Sequence, residues 1–277
     1  WGARCEVVTF PTDDKKGVVD ALSASGAQAD EIRARLTDAA AESSDALIEK
    51  VLNGETLSAD ELSGGLRSAV AQAKFIPIFA LMARQSVGLD ELLSGFARLM
   101  PSPADRPAKD ADGKDVNPAA DAPLVAQVWR SINDPFVGQL TVARIWGGTL
   151  KEKTEVFNAV KEQKESVGAV YFLNGKKSET VPEAQAGDVV ALAKLKATTL
   201  NDTLCAPGKP AKMAPIAFPN PVVSFAVAPK NQSDDDKLGP GLHRVADDDP
   251  TIHVQRNEAT HELIITGMGD VQIDAAM

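Results

Sequence analysis

The apolar positions of this chain follow two different periods. Up to about residue 100 they recur at helical spacing, and from about residue 123 they recur every second residue. In the first part, Ile32, Leu36, Ala40, Leu47 and Val51 share one face and predict a helix over 29–53. Asn53-Gly54 stops it, with Gly54 at the left-handed cap position. Ser58-x-x-Glu61 has the form of a capping box and opens a second helix to about Lys74. The apolar run Phe75–Leu81 predicts a buried strand, with Met82–Arg84 as the loop at its C-terminal end. A third helix follows from about Leu89, with Leu89, Leu92, Leu93, Phe96, Leu99 and Met100 as its buried stripe. Two short strands, Cys5–Pro11 and Gly17–Leu22, precede all of this.

The segment Pro101–Pro123 is rich in Pro, Asp and Ala and predicts an extended linker, partly polyproline-like. Beyond it, "LVAQVWRSI", "QLTVARIW", "EVFNAV", "VGAVYFL" and "GDVVALA" are short β-rich runs. Turn signals at Gly147-Gly148, Asn174-Gly175 and Ala186-Gly187-Asp188 separate them, which predicts a small barrel. The last section reads strand (Pro221–Pro229), helix from the acidic start Ser233–Asp236, two strands around a turn at Asn257–Thr260, then a helix after Gly269. That β-α-β-β-α order is a split βαβ unit without its final strand.

Composition narrows the function classes. The 277 residues suit about two or three domains at roughly 100–200 residues each. The net charge of −10 argues against a general nucleic-acid binder but leaves room for a local basic patch. Cys5 and Cys205 form no CxxC pair and read as reduced cytosolic thiols. No apolar run reaches the ~20 residues of a membrane span, and no signal peptide opens the chain. Trp1 at the start and an unfinished helix at the end suggest a fragment of a longer protein.

Candidate chemistry is sparse. No GxxxxGK[ST] phosphate loop is present among the 277 residues. DxxG at Asp14–Gly17 and Asp236–Gly239 is short enough to arise by chance in an acidic chain. His243, His253 and His261 have no metal-ligand spacing and read as solvent-side residues. The carboxylate runs Asp234–Asp236 and Asp247–Asp249 read as solvated helix ends. Lysines do gather in the β-rich section: Lys151, Lys153, Lys161, Lys164, Lys176, Lys177, Lys194 and Lys196. They read either as ordinary exposed loop lysines or as a surface for the phosphate backbone of RNA.

Longer stretches carry a family likeness. "DPFVGQLTVARIWGGTLK" (134–151), "AGDVVALAKL" (186–195) and "NDTLCAPG" (201–208) resemble the second domain of bacterial elongation factor G. "FPNPVVSFAVAPKNQSDDDKLGPGLHRVADDDPTIHV" (218–254) and "LIITGMGDVQID" (263–274) resemble its third domain. "DALIEKVLNGETLSADEL" (45–62) and "GLDELLSGFARLMPSP" (88–103) resemble the insert and the last helix of its GTPase domain. The details are most similar to the paralogous, elongation factor G-like branch, and the insert speaks against elongation factor Tu.

The resemblance implies a multidomain fold, α/β then all-β then α+β: 1–105 as the C-terminal part of a P-loop GTPase (G) domain with its helical insert, 106–122 as linker, 123–210 as the translation-factor β-barrel, and 216–277 as a truncated ferredoxin-like unit. It implies a cytoplasmic translational GTPase that works in translocation or a related step, with a monomer as the default expectation. The ribosome would be its partner, through small-subunit rRNA and ribosomal proteins, with no membrane and no DNA. GTP or GDP and Mg would be cofactors of the parent protein, with none expected in this fragment.

Met82, Ala83 and Arg84 stand where the family has its guanine loop, with Ala83 matching and Met82 departing from Ser. Lys151, Lys153, Lys161, Lys164, Lys176 and Lys177 become candidate rRNA contacts. The phosphate loop, both switches with the catalytic histidine, and the base-reading Asn-Lys-x-Asp motif are absent, so no catalytic or metal residue is expected in this fragment. "LGPGL" (238–242) interrupts a helix that the family keeps whole, and a kink or displacement is expected at Pro240. The alternatives are a stand-alone ribosome- or RNA-binding module without catalysis, and a ribosomal-protection relative.

Overall fold

The computed structural model describes residues 4–134, 137–175, 177–229, 231 and 235–277. The chain divides into two compact units, Trp1–Arg106 and Pro107–Met277.

The first unit is α/β. Strand β1 (Cys5–Val7) leads through Val8 into β2 (Thr9–Pro11), which pairs antiparallel with β3 (Val18–Asp20). Helices α1 (Ala27–Ala41), α2 (Asp45–Leu52) and α3 (Ala59–Ala71) follow, then β4 (Ile76–Ile78) and α4 (Leu89–Leu99). Val8, Ile32, Leu36, Leu62, Leu66, Phe75 and Leu99 form its core. The capping box is present: the Ser58 hydroxyl accepts from the Glu61 N–H, and the Glu61 carboxylate accepts from the Ser58 N–H. Gly54 is left-handed at φ 77°, as its sequence position predicts.

Three expectations for this unit need correction. The helix expected over 29–53 is two helices. The Ser43 hydroxyl donates to the Ala40 carbonyl and Ser44 turns extended (φ −156°), so α1 ends and α2 begins with a new cap. The strand expected over Phe75–Leu81 is only Ile76–Ile78, and Phe75 alone of that run is fully buried. Among the described residues β4 pairs with a single neighbour, parallel β1 (Cys5↔Ile76), and its other edge has no partner strand. The stripe on α4 is likewise half open: Leu99 is buried, but Leu89, Leu93 and Phe96 are exposed.

The second unit begins with the segment expected to be an extended linker. Part of it is packed instead. Val116, its only large aliphatic side chain, is buried against Val125 and Met213. Lys109 bridges to Asp115, and Asp110 to Met213. Burying one Val and pairing a few backbone groups is enough to hold a short polar loop in place.

The barrel comprises β5 (Val125–Asp134), β6 (Gly138–Gly147), β7 (Thr149–Lys151), β8 (Glu155–Asn158), β9 (Gln163–Ser166), β10 (Val170–Asn174), β11 (Lys177–Val181), β12 (Glu183–Gln185), β13 (Val189–Ala193) and β14 (Thr203–Cys205). Eight strands run in the order β11-β10-β13-β6-β5-β14-β8-β9, and β12 pairs with β7. Inward positions at every second residue, including Ala126, Val128, Ala143, Ile145, Val190, Leu192 and Leu204, fill its interior.

The C-terminal part is α+β: β15 (Val223–Val227), α5 (Asp235–Asp248), β16 (His253–Arg256), β17 (Leu263–Gly267) and α6 (Asp270–Ala276). Its antiparallel sheet has the order β15-β17-β16 and packs on the helices through Leu242, Ile252, Ile265 and Ile273. Ser233 and Asp234, expected at the start of α5, lie outside the described residues. Where a kink or displacement is expected at Pro240, α5 is helical without a break from Asp235 to Asp248. Pro240 forfeits the hydrogen bond its N–H would give the Asp236 carbonyl. Gly239 and Gly241 on either side bring no side chain that could crowd the ring.

Candidate functional site

Two sets of residues carry the functional expectation: the loop after β4, and the lysines of the barrel. The loop is a tight device. Met82 and Val87 form an antiparallel bridge, with the Met82 N–H donating to the Val87 carbonyl at 2.9 Å. Ala83–Gln85 form one 3-10 turn, whose bonds run from the Gln85 N–H to the Met82 carbonyl and from the Ser86 N–H to the Ala83 carbonyl. The N–H groups of Ala83 and Arg84 therefore lie ahead of the turn's first bond. Met82, Ala83 and Arg84 are all exposed.

Two glycines make the loop possible. Gly88 sits at φ 80°, and a Cβ there would lie 2.6 Å from the Ala80 carbonyl. A Cβ on Gly95 would lie 2.3 Å from the ring of Phe79, which packs edge-on against Phe96 (centroids 6.2 Å apart, 83°). The Thr9 hydroxyl accepts from the Ala80 N–H at 2.8 Å and ties the strand's end to β2.

Four of the barrel lysines face a carboxylate. The lysines lie on β7 and the turn after it, on the β8–β9 hairpin, on β11 and on the loop between β13 and β14. On β7 and its following turn, Lys151 Nζ lies 3.5 Å from Glu183 and Lys153 Nζ 3.1 Å from Glu152. At the β8–β9 hairpin, Lys164 lies 2.7 Å from Glu155, and Lys161 lies 3.4 Å from Asp202 while donating to the Ala197 carbonyl. Lys177, at the start of β11, has no carboxylate within 4 Å among the described residues. Lys176 lies outside the described residues.

Sequence reasoning missed a buried polar clamp beside Lys161. Asn158, fully buried, donates to Thr198 Oγ1 (3.1 Å) and Asp202 Oδ2 (2.9 Å), and accepts from the N–H groups of Val160 and Lys161. Glu165 accepts from the N–H groups of Lys196 and Ala197 and from the Thr198 hydroxyl. Burial pushes the Glu165 carboxyl up, but these hydrogen bonds outweigh it and hold it below the usual range. The clamp fixes the loop between β13 and β14, on which Lys194 and Lys196 stand exposed. Its members are far apart in sequence, so only the pairing of β8 with β14 brings them together.

Sequence reasoning also missed Arg144. Its guanidinium carbon lies 4.4 Å from the centroid of the Trp146 ring. The signal was present as two residues i, i+2 on one predicted strand, which share a face.

No three His, Cys, Asp or Glu side chains gather among the described residues in a way that could hold a metal ion. No helix among them is long and apolar enough to cross a membrane.

The sequence profile of elongation factor G domain 2 matches residues 123–207, and that of elongation factor G domain III matches 218–277. The chain belongs to the elongation factor G family. Domain 2 is the barrel, and domain III is the ferredoxin-like α+β part. A crystal structure of a protein from Thermus thermophilus shares the fold over 99% of this chain, with a TM-score of 0.83 and 24% identity. This elongation factor G-like chain covers 43% of the length of that structure.

Proposed function

We propose that this chain serves, as part of a longer protein, in a ribosome-bound translational GTPase that drives translocation or a related step in the cytoplasm. The observation that carries the reading is the succession of elongation factor G domains 2 and III in one chain. The first unit, 1–105, then belongs to the GTPase domain, with 106–122 leading into the barrel at 123–210 and domain III at 216–277. Met82, Ala83 and Arg84 form one wall of the guanine pocket, offering the N–H groups of Ala83 and Arg84 to the base from the C-terminal end of a parallel strand. The residues that would hold GTP phosphates and Mg are supplied by sequence outside these 277 residues.

The barrel rests on small-subunit rRNA. Lys177, Lys194 and Lys196 are its more available lysines, and Lys151, Lys153, Lys161 and Lys164 contribute less because carboxylates face them. Co-sedimentation with small ribosomal subunits tests the reading, together with titration of a fluorescent GDP. Sedimentation with the subunit, without micromolar GDP affinity, is the expected result. Micromolar GDP binding by this chain would show that the nucleotide site is complete in it. Failure to sediment with ribosomes would remove the ribosomal assignment.

A further inference from the structure

The barrel cations differ in how they are held. Four candidate lysines face carboxylates, which consume much of their charge. Arg144 is exposed on β6 and has no carboxylate within 4 Å among the described residues. Its guanidinium is held by the indole of Trp146 instead.

That indole is itself fixed. Its Nε1–H donates to Gln127 Oε1 at 3.3 Å, and the buried Gln127 anchors through its Nε2 to the Ala214 carbonyl at 2.7 Å. The ring packs against the cluster of Val116, Val125 and Met213. Beside Arg144 across the sheet stands Val189, which is exposed although apolar. One guanidinium face is occupied by Trp146 and the charge is unpaired, with a small apolar floor alongside.

We infer that Arg144, stacked on Trp146, is a platform for an unpaired nucleobase of RNA. A planar guanidinium offers a second stacking face and a free edge of N–H donors for a neighbouring phosphate. A base laid on it completes a stack of indole, guanidinium and base, with Val189 covering its edge. A phosphate alone would use the charge but neither the flat face nor the floor. The inference rests on the proposed RNA-contacting role of the barrel and names its base-recognising residue.

The test is binding of fluorescently labelled oligoadenylate to the 277-residue chain, read by anisotropy, for wild type, Arg144→Ala and Arg144→Lys. Arg144 is exposed and without side-chain hydrogen bonds among the described residues, so both variants keep the fold. A stacking platform predicts about tenfold weaker binding for Arg144→Ala. It predicts a comparable loss for Arg144→Lys, which keeps charge but not the plane, and weaker binding of duplex RNA by wild type. Wild-type affinity in Arg144→Lys would reduce the site to a point-charge contact and overturn the platform, as would absence of oligoadenylate binding to wild type. Co-sedimentation of the same proteins with small ribosomal subunits separates the two readings. Ribosome binding with Arg144→Ala unaffected in both assays removes the platform alone. Arg144-dependent oligoadenylate binding without ribosome binding removes the ribosomal reading alone.

Discussion

Strands β13 and β4 are both short and apolar, yet they end in different environments. β13 lies between β6 and β10, and Val190, Ala191, Leu192 and Ala193 are buried. Among the described residues β4 has β1 on one side only, and Ile78 remains exposed, as do Leu81 and Met82 just beyond it. The nearby helix α4 repeats the contrast, with Leu99 buried and Leu93 more than half exposed. Burial is a property of the neighbours a strand finds, and side-chain type supplies only the preference. A wall with open apolar surface is what the proposed GTPase domain would need if further strands complete it.

The largest test of this contrast is a pair of truncations. Leu192→Ala removes a fully buried side chain from the barrel interior and should cost about 2–5 kcal/mol in denaturant unfolding. Leu93→Ala, in the open stripe of α4, should stay within about 0.5 kcal/mol. A cost for Leu93→Ala that approaches the barrel value would mean that the α4 face is covered. In a longer polypeptide that includes the rest of the GTPase domain, the cost should rise.

The barrel also differs in carrying a buried polar clamp. Asn158→Ala removes two donated and two accepted hydrogen bonds at a site without solvent. The expected loss is about 2–3 kcal/mol, because Asp202 and the N–H groups of Val160 and Lys161 lose buried partners. Amide exchange in the loop 194–202 should quicken in the same variant. Unchanged exchange there would show that Glu165 alone suffices to hold the loop.

The parts legible in the sequence were those decided locally. The capping box at Ser58, the left-handed Gly54 and the hairpin at Asn257–Thr260 each depend on a few adjacent residues. The strand period of the barrel was legible too, because one buried face repeats it along every strand. Distant decisions were not legible. Two serines at 43 and 44 split a helix whose apolar face continues across them. Pro240 lies inside a continuous helix between two glycines that carry no side chain against its ring, which the cost of proline alone does not reveal. At the candidate sites the sequence shows where the lysines stand, but not that the β7–β12 register sets Lys151 opposite Glu183 or that the fold brings Lys161 to Asp202.

A smaller effect contrasts the clamp with its exposed counterpart, the cap of α3. Ser58→Ala removes the acceptor of the Glu61 N–H and should cost about 1 kcal/mol. The site is exposed, and water takes over part of what the hydroxyl did. A loss as large as that of Asn158→Ala would show that exposure does not separate the two sites.

The smallest expected effect is the acid response of the same cap. The Lys50 ammonium and the Ser58 N–H and hydroxyl hold the Glu61 carboxyl down to about 2, from an ordinary 4.5. A carboxyl depressed in the folded state stabilises it fully above its unfolded value, and that stabilisation fades as pH falls toward and through the folded value. The loss should therefore fall between about pH 4.5 and about pH 2. Glu61→Gln should flatten that part of the stability profile of the first unit. The amplitude is modest, because the carboxylate stands in solvent and both partners are screened. Glu165 shifts in the same direction, so Glu165→Gln should also flatten the acid limb of the barrel. An acid limb of the barrel left unchanged by Glu165→Gln would show that the hydrogen bonds from Lys196, Ala197 and Thr198 do not depend on the carboxylate charge.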